Sequence, residues 1–272
     1  MNNTKKTFLY IILAFAAIVF TLPIFWIIVS SFKTRTELFS WPPTLIPNEL
    51  TFQNYFNILN SNEFIVYFKN TSIVAVLSTI ITLLINSMAG FALAKYKFKG
   101  RNIVFLGFLA VLMIPLEIRM VPTFTIIRSF GLYDKLAGII IPPAASPTGV
   151  FLIRQYMITI PDELMESARI DGASEWRIFW SIMLPLVKPA LIALTIFSFM
   201  WRWNDFLNPF IVINSPSKYT LQIAIANFVG QYGIEWSSLL PMNVISMIPV
   251  LLVFLFFQRY FVKGIAMSGL KM

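Results

Sequence analysis

Charged residues are confined to a few stretches of this chain. Three intervals, 7–32, 70–94 and 236–258, run 26, 25 and 23 residues without Asp, Glu, Lys or Arg. Each exceeds the roughly 20 apolar residues that cross a bilayer as an α-helix. Three further apolar segments, at about 103–127, 136–155 and 189–212, carry charge only within them or at their ends. The pattern predicts an all-α integral membrane protein with six transmembrane helices. One polar island, Pro161 to Pro185, interrupts it between the fourth and fifth segments.

The island has its own local logic. Thr159-Ile160-Pro161-Asp162 reads as a helix start, with Thr159 free to cap and proline tolerated in the first turn, where an amide has no helical partner. Helix is expected to about Ile170. Gly172 then lets the chain turn before a second short helix over 174–181. Ser167, Ala168, Gly172 and Ala173 are small enough for another backbone to approach closely, and acidic Asp162, Glu163, Glu166, Asp171 and Glu175 mix with basic Arg169 and Arg177. The expected product is a helix-turn-helix knob facing water or a polar partner.

Composition agrees with a bilayer location: 58% hydrophobic and 12% charged residues, with a mean hydropathy of +0.77. An inward amino terminus would place thirteen Lys and Arg beside cytoplasmic span ends, including Lys95, Lys97, Lys99 and Arg101. Six would lie outside, and Arg119 and Arg202 fall within spans. The bias predicts that both termini and the 156–183 loop are cytoplasmic. The net charge of +9 is thus mostly topological, and no basic domain suggests nucleic acid. The first span follows Lys5 and Lys6 as a signal peptide would, but its 26 residues and the lack of an Ala-x-Ala-like site predict an uncleaved helix.

Cysteine and histidine are both absent, which excludes disulfides, thiol chemistry, histidine-bearing zinc sites and a Ser-His-Asp triad. No metal site is expected. The nearest spacing to a phosphate-binding loop, Gly264-Ile-Ala-Met-Ser-Gly269, is followed by Leu270 where lysine is required. If transport is energised by ATP, the ATPase is another polypeptide.

The island's residue order resembles the EAA loop of permease subunits of ATP-binding-cassette (ABC) importers. Glu166-Ser167-Ala168 stands for Glu-Ala-Ala, and Asp171-Gly172-Ala173 for the Asp-Gly-Ala that follows; Leu184-Pro185 and Pro189 also fit. Ser167 departs from the usual alanine but is similarly small. Trp41-Pro42-Pro43, Leu50-Thr51, Asn54-Tyr55, Met113-Ile114-Pro115, Pro122, Gly131-Leu132, Ile140-Ile141-Pro142, and Trp203-Asn204-Asp205-Phe206 with Pro209 extend the likeness over nearly the whole chain. They make it similar to carbohydrate permeases such as the inner permease subunit of the maltose importer.

The resemblance implies a type I ABC importer permease fold with cytoplasmic coupling helices, and ATPase contacts at Glu166, Ser167, Ala168, Asp171, Gly172 and Ala173. It implies a cell-membrane, non-catalytic transport subunit for a mono- or oligosaccharide. Its partners would be a second homologous permease in a heterodimer, two ABC ATPases and an external sugar-binding protein. No cofactor would be bound by this chain, with ATP and Mg on the partner ATPase. Uptake of glycerol phosphate or another polar solute is the alternative cargo. An ion-gradient-driven secondary transporter is the alternative class, and would leave the small-residue knob unexplained. A membrane-embedded enzyme would need a converging catalytic set, and the sequence offers none.

The expected organisation is residues 1–67 as a first helix and external loop, 68–259 as the transmembrane domain with the coupling loop at 159–183, and 260–272 as a cytoplasmic tail. Prolines 115, 122, 142, 143 and 147 interrupt the third and fourth spans. They either wall a water-filled pathway, since lipid cannot satisfy freed backbone groups, or merely kink packed helices. Candidate pathway residues are Glu117, Arg119, Trp201, Arg202, Asn204 and Asp205. Intramembrane charges should turn inward, and Arg202 and Asp205, three apart on one helical face, either pair with each other or contact substrate. Asn204 suits a sugar by amide hydrogen bonding and Trp201 or Trp203 by stacking, although tryptophans in spans also pack and anchor. Ser87, Gly90, Ala92, Ala190 and Ala193 offer small faces for close helix packing.

Overall fold

The computed structural model describes the backbone of residues 3–230 and 233–268 and the side chains of residues 5–228 and 234–258. In chain order its helices are α1 (Asn3–Ser30), α2 (Arg35–Leu38), α3 (Gln53–Leu59), α4 (Asn62–Lys95), α5 (Arg101–Leu112), α6 (Leu116–Ser129), α7 (Ala137–Ile140), α8 (Pro147–Ile158), α9 (Glu163–Ile170), α10 (Glu175–Ile178), α11 (Leu184–Leu186), α12 (Lys188–Trp203), α13 (Leu207–Val212), α14 (Leu221–Asn227) and α15 (Trp236–Ser268). Two 3-10 turns, Pro142–Ala144 and Pro216–Lys218, and a π-helical turn, Phe179–Met183, lie between them. A two-residue antiparallel pairing of Val229–Gly230 with Gly233–Ile234 separates α14 from α15.

Among the described residues, four helical stretches, one of them the interrupted Ala137–Ile158, are long and apolar enough to cross a membrane, and two bent pairs bring the number to six if each is one span. The expected third span is α5 and α6, bent by 111°. Pro115 has no amide to donate, and the Met113 and Ile114 amides fall back on carbonyls three residues earlier, at 3.1 and 3.3 Å, so the helix tightens and stops. The second bent pair joins Glu175–Leu186 to α12 at 78°. Its first member carries exposed Glu175 and Arg177, so the span is α12.

Three boundaries differ from expectation by more than a few residues. The fifth span ends at Trp203 rather than running to 212, because Asn204 turns its amide back to the Met200 carbonyl at 3.0 Å and the chain restarts as α13. The second begins at Asn62 rather than 70, so Lys69 is helical; 34 residues rise about 51 Å, well beyond a hydrocarbon core of about 30 Å. The sixth continues as α15 to Ser268, so the expected tail of 260–272 begins inside a helix, and its residues 269–272 lie outside the described residues.

Two compact units divide the chain: residues up to Ile65 with Ala224–Pro249, and Val66–Ile223 with the chain from Val250. In the first, the loop after α1 is folded on itself. Lys33 is buried, donates to the Thr44 carbonyl and sits 4.8 Å from the Trp26 ring centroid. Glu37 accepts from Thr44 Oγ1 at 2.7 Å and the Asn48 amide at 2.8 Å. Those donors, the Asn48 amide foremost, hold its carboxyl below the usual range.

The second unit is built around the interrupted fourth span. Between α7 and α8 the prolines at 142, 143 and 147 leave Ile140, Pro143 and Ala144 carbonyls without helical donors. Helix α4 supplies them from one face: Ser78 Oγ to Ile140 at 3.5 Å, Thr82 Oγ1 to Pro143 at 3.3 Å and Asn86 Nδ2 to Ala144 at 3.2 Å. The chain re-enters helix at Ser146, whose hydroxyl accepts the Gly149 amide, with Pro147 in the first turn. Beyond the other end of α7, Asp134 accepts from Lys218 Nζ, Ser215 Oγ and the Ser215 and Asn214 amides. The Lys218 bond contributes most to holding its carboxyl well below the usual range.

Helices α4 and α8 then touch at Gly90. A Cβ there would lie 2.7 Å from Ile153 Cγ2 and 3.1 Å from the Arg154 amide nitrogen. Gly90→Ala is expected to cost about 1–3 kcal/mol by overpacking. Gly107→Ala, with nothing within 4 Å of its Cβ, should not destabilise. Thermal unfolding of the two variants in detergent checks the contrast.

Candidate functional site

The polar island folds as a knob set on an apolar base. Helix α9 runs to Ile170, Gly172 turns the chain with φ of +79°, and Ser174 caps α10 by accepting the Arg177 amide. The start differs from expectation. Thr159 closes α8, donating its hydroxyl to the Tyr156 carbonyl, while Asp162 occupies the α9 cap position without a side-chain capping bond. The second helix continues through the π-helical turn to Leu186, past the expected end at 181.

Underneath, Met165 of α9 and Ile178 and Phe179 are buried with Phe91 of α4, Ile153 and Met157 of α8, and Ala190 and Leu194 of α12. Polar pins surround this core. Glu175 accepts two bonds from Arg169, at 2.6 and 3.2 Å, and one from the Tyr96 hydroxyl, closing the two helices across the Gly172 turn. Lys95, its side chain buried, pairs with exposed Asp162 at 2.6 Å and donates to the Ile160 carbonyl. Arg154 donates to the Leu93 carbonyl at 3.2 Å and covers the Phe105 ring. The Arg169–Glu175 pair is exposed on both sides and adds little net stability, so its effect is orientation.

The outer face is different in kind. Glu166, Ser167, Asp171 and Gly172 are exposed, while Ala168 and Ala173 are half-buried against the base. Among these charges Ile170 is 86% and Trp176 60% exposed. Mixed charge around exposed apolar side chains is the composition of a non-obligate protein interface.

A second feature lies in the same unit. A cavity of about 490 Å³ is bounded by α5, α6, the broken fourth span and the end of α12. Pro142, Pro143 and Pro147 line it with Ser146 and Thr148, so the interruption does face a cavity. Of the six pathway residues expected from sequence, Arg119, Trp201, Arg202 and Asp205 line it. Glu117 and Asn204 are exposed elsewhere, Asn204 with its side-chain Nδ2 bonded to the Met200 carbonyl. Trp201 has one face stacked on Phe197, and Trp203 is buried against Phe68 and Phe199.

Arg202 and Asp205 do pair, but at 3.8 Å, because Asp205 gives its oxygens to the Asn208 amide and side chain at 3.2 and 2.8 Å. The Nε–H groups of Arg119 and Arg202 are buried and donate to no partner among the described residues. Thr123, Ser146, Thr148 and Asn208 are lining residues that the sequence reading does not name; each stands directly beside a proline in an apolar segment, which is the signal that marks them. No group of three or more metal-ligating residues occurs among the described residues.

Residues 86–267 match the family described as binding-protein-dependent transport system inner membrane component. The arabinooligosaccharides transport system permease protein AraQ of Bacillus subtilis is 38% identical over 260 residues, covering 94% of this chain and 92% of AraQ. The sn-glycerol-3-phosphate transport system permease protein UgpE of Yersinia pestis is 32% identical over 269 residues, 96% of each chain. Among solved structures, a chain of a bacterial ABC transporter that imports the acidic polysaccharide alginate superposes with a TM-score of 0.85 over 96% of this chain and 99% of its own, at 24% identity.

The pins predict a pH response of the knob. Glu175 is held low chiefly by Arg169 and Asp162 by Lys95, so their contributions are complete above the ordinary values of 4.5 and 3.8 and fade as pH falls through the depressed ones. Tyr96 is pushed up to about 12, first by burial and then by Glu175; its contribution is complete below the ordinary 10.0 and is lost as pH rises through about 12. The 19F resonances of 5-fluorotryptophan at Trp176 and Trp180 should stay constant from about pH 5 to 9 and shift only outside that range. Glu175→Gln should alter them at neutral pH.

Proposed function

Because the chain belongs to the binding-protein-dependent transport system inner membrane component family, we propose that it is the permease subunit of an ABC importer that takes up a carbohydrate. The observation that carries this reading is the knob: a rigid helix-turn-helix whose base is continuous with the core of the membrane helices and whose outer face is charged, with an exposed apolar centre. Glu166, Ser167, Ala168, Asp171, Gly172 and Ala173 are the residues that seat it in a partner ATPase. ATP and Mg belong to that partner. With a second permease, two ATPases and an external binding protein, closure of the ATPases draws the knobs together and rocks the spans around a central pathway.

The AraQ relative supports an oligosaccharide as cargo. UgpE, at lower identity, supports the second reading, a phosphorylated polyol. The charge bias of the span ends supports cytoplasmic termini and a cytoplasmic knob. Exposed residues of the first external loop, Phe39 and Trp41 among them, supply the landing surface for the binding protein.

Gly172 gives a clean test. It is exposed, and a Cβ there would meet nothing within 4 Å, so Ala and Arg share the same left-handed backbone penalty of roughly 1–2 kcal/mol and differ only in bulk and charge. Gly172→Ala should retain ATP-dependent uptake and co-purification of the ATPase, identified by mass spectrometry. Gly172→Arg should lose both. Uptake unchanged in Gly172→Arg would remove the coupling role, and uptake that survives ATP depletion on an ion gradient would point to a secondary transporter.

A further inference from the structure

The membrane cavity holds more positive charge than its own residues neutralise. Its charged lining residues are Arg119, Arg202 and Asp205, two guanidinium groups against one carboxylate. Asp205 is mostly committed to Asn208, so even the one available pair is loose at 3.8 Å. Arg119 makes no ion pair or hydrogen bond among the described residues, and the Nε–H of each arginine is shielded from solvent without an acceptor.

A guanidinium is charged at any relevant pH and cannot relieve its burial by losing a proton. Within a membrane segment an unpaired arginine is costly and persists where it binds something. Neutral hydroxyls would satisfy the donors but leave the excess charge. An oxyanion meets both needs, and its forked oxygens match guanidinium geometry. The cavity, about 490 Å³, is of a size that holds a small ligand or one sugar residue of a longer chain. Thr123, Ser146 and Thr148 add neutral polar groups at its wall.

We propose that Arg119 and Arg202 form an anion-recognition site in the translocation pathway, so that the transported carbohydrate or polyol carries a carboxylate or phosphate group. This rests on the permease reading above and narrows its cargo. Aromatic stacking is limited by the Trp201–Phe197 pair, which leaves charge and hydroxyl recognition as the main selective forces.

The test uses the complete importer, reconstituted with its ATPases and binding protein, and three probes: trigalacturonate, glycerol 3-phosphate and neutral arabinotriose. One anionic probe should be taken up in preference to arabinotriose, and which one tells a uronate from a phosphate ester. Arg119→Gln and Arg202→Gln should each cut that uptake at least about tenfold, the loss expected on removing one charge-assisted bond. Arg119→Lys, which keeps the charge, should recover most of it. The same binding protein serves every variant, so its own selectivity cancels. Uptake of arabinotriose alone, no uptake of either anion, or anion uptake unchanged in both Gln variants would each overturn the site, and the wild-type arm does so without any substitution. Uptake of arabinotriose driven by ATP would leave the importer reading standing, whereas failure of the ATPases to assemble would remove that reading instead.

Discussion

A membrane span broken by three prolines must find donors for the carbonyls it exposes, and the second unit is arranged around that requirement. Lipid offers none, and each unsatisfied group costs several kcal/mol. Ser78, Thr82 and Asn86, spaced by four along α4, meet Ile140, Pro143 and Ala144 in turn. Their spacing keeps all three on one helical face, so α4 lies along the break as a rail. Gly149 continues the contact, since a Cβ there would be 3.0 Å from the Asn86 amide. The interruption is thereby held open, protein on one side and cavity on the other.

The same helices that frame the cavity hold the knob. Helix α8 begins at the cavity wall with Pro147 and Thr148, and one face of it, Ile153 and Met157, ends in the knob's core. Helix α12 places Ala190 and Leu194 in that core and Trp201 and Arg202 at the cavity. At 12 and 16 residues they rise about 18 and 24 Å. Each is a single unbroken α-helix between the two sites, without an internal proline beyond the first turn, so a displacement of the knob is carried to the cavity as a rigid-body movement rather than absorbed in bending.

Much of this was legible in the sequence because bilayer crossing and backbone turns leave local marks. The charge-free runs located spans, and Gly172 announced a turn that the backbone makes at positive φ. Proline at 115 marked the break in the third span but not its angle: a missing amide says where a helix stops, while the direction in which it restarts is set by packing. An N-cap hydroxyl and a C-terminal one look alike in sequence, and Thr159 is the second kind: the helix it closes runs to Ile158, past the expected end near 155. The fifth span is shorter than its apolar run suggests, because residues past Trp203 stay apolar while Asn204 bonds back to Met200 and Asp205 accepts from Asn208, local contacts that the apolar pattern does not show. The rail on α4 had a readable signal, polar residues at intervals of four in an uncharged span. The Tyr96–Glu175 pin had none, being a contact across 79 positions.

The knob shows why a polar element can be firmly attached to an apolar protein. Its inward side chains, Met165, Ile178 and Phe179, are nearly fully buried, so removing any of them from the base would expose apolar area and leave a cavity. Its outward charges are satisfied within the knob or at its neck, by Arg169 with Glu175 and Lys95 with Asp162. That leaves Glu163, Glu166, Asp171 and Arg177 exposed, with Ile170 and Trp176 also exposed on the knob and the carboxylates that brace the fold engaged elsewhere. The side chains that fix the knob to the bundle are thus largely distinct from exposed Glu166, Ser167, Asp171 and Gly172, while Ala168 and Ala173 lie between the two sets, packed partly against the base.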